Sequence, residues 1–80
     1  MDYKAFQMRL LLLGFSTGAR KFTNKDFYTL DQSITVTVNI KTDEIRVFKP
    51  NPSKVKPKLI RRFYLFTSAS KFLQELLNGN

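Results

Sequence analysis

Seven Lys or Arg side chains lie between Arg46 and Arg62, and no Asp or Glu interrupts them. Phe48 falls inside this run and Tyr64 just beyond it. Basic and aromatic residues at this density suit one kind of chemistry. Lys and Arg neutralise phosphates and release their counterions, and aromatic faces stack on unpaired bases. The candidate nucleic-acid contacts are Arg46, Lys49, Lys54, Lys56, Lys58, Arg61 and Arg62 for the backbone, with Phe48 and Tyr64 for stacking. The plainer account makes the Lys run a solvated linker and the two rings ordinary packing. Phosphate contacts position a protein without reading sequence, so they tell neither DNA from RNA nor one strand from two.

Other chemistries have fewer residues to draw on. The chain has no His and no Cys, which removes the commonest general base, the commonest metal ligand, thiol nucleophiles and any disulfide framework. Asp43 and Glu44 fit ordinary turn chemistry, and Asp26 and Asp31 share neither a helical turn nor metal-site spacing. Gly18 lacks the Walker spacing of a phosphate loop. A metal-independent RNase built from Arg61, Arg62 and Tyr64 is the residual catalytic option. The expectation is therefore a protein that is not an enzyme and has no cofactor.

The charge is unevenly spread. Residues 1–45 carry six Lys/Arg against five Asp/Glu, whereas residues 46–80 carry eight against one. Such asymmetry favours an anionic partner. Nucleic acid is the first candidate, and an acidic protein surface is the alternative. In that second reading the chain is a small inhibitor or adaptor that docks on a nucleic-acid-handling enzyme, as small phage inhibitors do. The surplus Leu residues of 10–13 favour a partner surface of some kind, a homodimer included. A membrane surface ranks lower, because the Lys run lacks interleaved large apolar anchors.

Eighty residues make one domain, residues 1–80, close to the size at which a single core is just sufficient. Val, Ile, Leu and Phe number 26, enough for a packed core. The apolar run 10–15 is shorter than the hydrophobic region of a signal peptide, and no stretch approaches a membrane span. The expected location is cytoplasmic.

The elements that must position the basic residues follow from periodicity. Residues 2–13 predict a helix capped by Asp2, with Phe6, Leu10 and Leu13 on one face, Leu11 and Leu12 widening it, and Gly14 ending it. A polar connection covers 16–25, and a short strand covers 26–30. Residues 33–48 predict a hairpin. With Thr42-Asp43 as the turn, Ile40 opposes Ile45, Val38 opposes Val47, and all four are buried; a longer turn is the alternative. Residues 49–58 form a Lys/Pro-rich loop in which three Pro forbid regular structure. Residues 59–66 predict a last strand, central in the sheet, with Leu59, Arg61, Phe63 and Leu65 toward the core. Ser68 then caps a helix over 69–78, whose stripe is Phe72, Leu73, Leu76 and Leu77, with Gly79 ending it.

The fold class is α+β: helix, three or four antiparallel strands, helix, with both helices on one face. The other face would carry Arg46, Phe48, Arg62 and Tyr64. At the level of topology this order resembles the double-stranded-RNA-binding domain. That family places a Lys-rich cluster at the start of its last helix, where this chain has Ser68-Ala69-Ser70-Lys71-Phe72. The resemblance implies double-stranded RNA as one candidate ligand.

Overall fold

The computed structural model describes residues 3–17, 25–31, 33–53 and 56–79. The elements run α1 (Tyr3–Leu12), β1 (Ser16–Thr17), β2 (Lys25–Leu30), β3 (Ile34–Asn39), β4 (Ile45–Lys49), β5 (Lys58–Phe63) and α2 (Phe66–Leu77). The strands form one antiparallel meander in the order β1-β2-β3-β4-β5. The α+β class holds, and the sheet has five strands because the 16–25 connection contributes β1.

Strand alternation sorts the sheet into two faces. Tyr28, Ile34, Val36, Val38, Ile45 and Val47 are buried and pack with Phe6 and Leu10 of α1 and Ala69 and Leu73 of α2. Both helices therefore cover the same face. Among the described residues, no helix is long and apolar enough to cross a membrane.

Helix α1 ends as its sequence predicts. Gly14 takes φ 101°, and the Phe15 N–H returns to the Leu10 carbonyl, burying the Phe15 ring. A Cβ at position 14 would also meet Leu30 Cδ1 at 3.2 Å. The expected cap, Asp2, lies outside the described residues. Of the four successive Leu residues, Leu10 is fully buried and Leu12 is 82% exposed.

Four details differ from the sequence reading, each for a local physical reason. First, the β3–β4 register is shifted by two residues: Val38 opposes Ile45, and Val36 opposes Val47. Asn39 Oδ1 accepts the N–H groups of Lys41 and Thr42, and Asp43 adopts φ 60°. Together these close a loop over 40–43 in place of a tight turn. The faces keep their parity, and Ile40 leaves the core for the exposed loop.

Second, β5 is an edge strand and not a central one, since among the described residues it pairs with β4 alone. Third, a bulge there places Leu59 opposite Phe48 and Arg61 opposite Val47, leaving Ile60 as the extra residue. Leu59 thus moves to the face away from the helices, while Ile60 packs against the core. Fourth, α2 begins at Phe66 rather than after Ser68. Its N-cap is Leu65, which is exposed rather than in the core and makes no side-chain cap hydrogen bond. Packing explains the early start, because the Phe66 ring stacks on Tyr3 and Phe6, with centroids 5.9 and 5.1 Å away.

A polar chain closes one end of the core. Gln7 Nε2 donates to the Tyr28 hydroxyl, and the Tyr3 hydroxyl donates to Asp26 Oδ2. Tyr3 and Tyr28 hydroxyls also meet. Since the Tyr3 proton serves Asp26, Tyr28 donates to Tyr3. Burial pushes the Tyr3 phenol well above its ordinary value, and its hydrogen bonds with Asp26 and Tyr28 act in the same direction. The sign is that of a proton the folded state holds more tightly. Stability from this group is complete below the ordinary tyrosine pKa of 10.0 and falls as pH rises beyond it. Thermal melts across the alkaline range should show Tyr3→Phe losing less stability above that pH than the native chain.

Candidate nucleic-acid interface

The face away from the helices bears Phe27 from β2, Thr35 and Thr37 from β3, and Arg46 and Phe48 from β4. With Pro57 these line a shallow groove of about 240 Å³. Register explains the convergence: Phe27 opposes Thr37, Thr37 opposes Arg46, and Thr35 opposes Phe48. Thr37 is only 6% exposed, because longer neighbours overhang it. The two Phe rings belong to strands separated by β3, roughly 10 Å apart across the sheet. Pro57 brings the end of the Lys/Pro loop to the groove's rim.

Beside the groove, Arg46 of β4 directly opposes Arg62 of β5. Like charges in opposed positions destabilise a sheet pair unless something lies between them. Here it is Glu44. Its Oε1 is 3.0 Å from Arg46 Nε, its Oε2 is 3.0 Å from Arg62 Nε, and the Tyr64 hydroxyl donates to Oε2 at 3.2 Å. Desolvation pushes the Glu44 carboxyl up. The hydrogen bond and charge of Arg46, the Tyr64 hydrogen bond and the Arg62 charge outweigh it and hold the carboxyl below its ordinary value. One carboxylate therefore sits where two guanidinium groups and a phenol converge.

This pairing fixes a pH dependence. A lowered carboxyl pKa contributes stability that is complete above the ordinary value of 4.5 and is lost as pH falls through the lower folded value. Glu44→Gln should melt at a lower temperature than the native chain at neutral pH, with the difference vanishing in acid.

The nine residues expected from sequence to contact nucleic acid are divided by the fold. Arg46, Phe48 and Arg62 lie on the open face, and Tyr64, one residue past β5, joins them through Glu44. Lys49 and Lys58 are exposed and oppose each other at the end of the β4–β5 ladder. Lys56 is exposed next to Pro57. Lys54 lies outside the described residues. Arg61 turns to the helix side, its guanidinium 5.3 Å from the Phe63 ring centroid and 5.1 Å from that of Phe72.

Compared with protein-family models, with curated proteins and with solved structures, the chain finds no match.

Sequence reasoning missed two members of this interface. Phe27 was legible in principle, since alternation along Asp26-Phe27-Tyr28 puts it opposite to Tyr28. Glu44 was read as a solvated turn acid. Two residues before Arg46, it shares the open face by alternation, and the β4–β5 register brings Arg62 to it as a second partner. Among the described residues, no group of three or more acidic side chains gathers as a metal site.

Proposed function

We propose that the chain binds single-stranded nucleic acid across the open face of its sheet and does not cleave it. The observation that carries this reading is the groove between Phe27 and Phe48, lined by Arg46 and with the exposed Arg62 opposite Arg46 on the same face. Unpaired bases stack on such rings whatever their sequence, while Arg46 and Arg62, with Lys56 beside Pro57, meet the phosphates. A duplex keeps its base faces stacked internally and gives the two rings nothing to bind. The reading places the protein in the cytoplasm, where such strands are met.

The test is a fluorescence anisotropy titration with labelled single- and double-stranded DNA and RNA at two salt concentrations. Micromolar or tighter binding, with single strands preferred and affinity falling steeply with salt, is the expected result. Equal affinity for duplexes would reduce the site to its charges. No binding by folded protein at low salt would overturn the proposal.

One observation favours a second reading, a protein-docking module. Helix α1 exposes Met8, Leu11 and Leu12 on the side remote from the groove. The two surfaces separate by mutation. Leu12→Ser would abolish docking of a protein partner and leave oligonucleotide binding intact.

A further inference from the structure

Arg61 and Arg62 are consecutive residues of an edge strand and face opposite sides of the sheet. Within a central strand no single ligand could reach both. At an edge one can, by passing over it. Arg62 belongs to the open face and is held by Glu44. Arg61 lines a different cavity, a cleft of about 420 Å³ between β5 and α2, together with Phe63, Ser68, Lys71, Phe72 and Glu75.

This cleft differs from the sheet groove in chemistry. The groove is walled by rings and threonines with one cation. The cleft brings together two cations, Arg61 and Lys71, and a hydroxyl, Ser68. The Arg61 guanidinium rests against Phe63 and Phe72, which fixes its plane without using its N–H donors. Neither Arg61 nor Lys71 makes an ion pair among the described residues. A held guanidinium with free donors, a nearby ammonium and a hydroxyl form a set suited to phosphate. Glu75 lies one turn beyond Lys71 on the same helix, roughly 6 Å along its axis. It bounds the anion-binding site at that end.

We propose that this cleft takes a phosphodiester group of the same single strand that crosses the sheet face. The strand then turns over the β5 edge between Arg62 and Arg61. The proposal rests on the sheet-face reading and extends its track beyond the groove.

Strand length separates the two. An oligonucleotide of roughly four residues fills the sheet face, and one of roughly ten reaches the cleft, both within the span of known single-strand sites. Lys71→Ala, an exposed substitution, and Arg61→Lys, which keeps the charge but loses the planar stack, are titrated against both lengths. Thermal melts verify their folds. The expected result is unchanged affinity for the short strand and about three- to tenfold weaker binding of the long one. For Lys71→Ala the slope of log affinity against log salt should also fall by about 0.7 on the long strand only.

Weakening on both lengths alike, or on neither, overturns the turn over the edge while leaving the sheet-face reading standing. Failure of the native chain to bind either length overturns both. Inorganic phosphate alone is titrated against the Ser68 and Lys71 amide resonances. Saturation by the free ion, with the long strand leaving those resonances unmoved, would identify a small-anion site and overturn the strand path.

Discussion

Phe48→Ala is expected to weaken single-strand binding by about 5- to 160-fold, the effect of losing one stacked base at 1–3 kcal/mol. The ring is only half-buried and lines the groove rather than the core, so the fold should survive the change. The salt dependence discriminates. Stacking releases no counterions, so the slope of log affinity against log salt should stay where it is in the native chain, whereas Arg46→Ala should reduce it. Phe27→Ala should behave like Phe48→Ala. Glu44→Gln should act in the opposite direction, tightening binding by freeing Arg46 and Arg62 for phosphate. Had the affinity come from charge alone, Phe48→Ala would bind as the native chain does, and anisotropy titrations at two salts would show it.

The second large effect is on stability. Phe6 is fully buried and stacks on Phe66, which in turn stacks on Tyr3, so one ring ties α1 to the start of α2. Phe6→Ala should cost about 3–5 kcal/mol. A domain of this length has roughly 4–12 kcal/mol in total, at about 0.05–0.15 per residue. The variant should therefore lose a large share of that stability, with a urea midpoint far below that of the native chain. Leu12→Ala, five-sixths exposed on the same helix, should move the midpoint little, by about 0.5 kcal/mol or less. Equal effects at the two positions would contradict the way α1 is seated.

Periodicity carried most of the architecture, and each place where it failed has its own local cause. Alternation in Ile34-Thr35-Val36-Thr37-Val38 assigned faces correctly even though the turn length, and hence the register, was wrong. A shift of two residues preserves parity, so Arg46 and Phe48 still reached the open face. At Leu59-Ile60-Arg61 the bulge inserts one residue and parity reverses. An alternating count across such a point misplaces everything on its far side. Leu59 moved out, and Ile60 took its place against the core. The Leu65-Phe66 step was lost for a different reason. Ser68 is the better cap by local chemistry, but the stack of Phe66 on Phe6 and Tyr3 outweighs one capping hydrogen bond. Glu44 was illegible because its role needs three partners, Arg46, Arg62 and Tyr64, from two strands and the residue beyond them.

The bulge at Ile60 and the run of cations along β5 also govern how the molecule behaves towards its own copies. An unpaired strand edge is a template on which another chain can add a strand, and distortion and positive charge are what discourage that addition. Lys58, Arg61 and Arg62 are therefore placed to discourage strand addition along β5. Charge-neutralising variants of β5 remove the charge safeguard against association and leave the bulge. They should form higher oligomers as concentration rises, and their binding curves should be compared only at concentrations where sedimentation shows monomers.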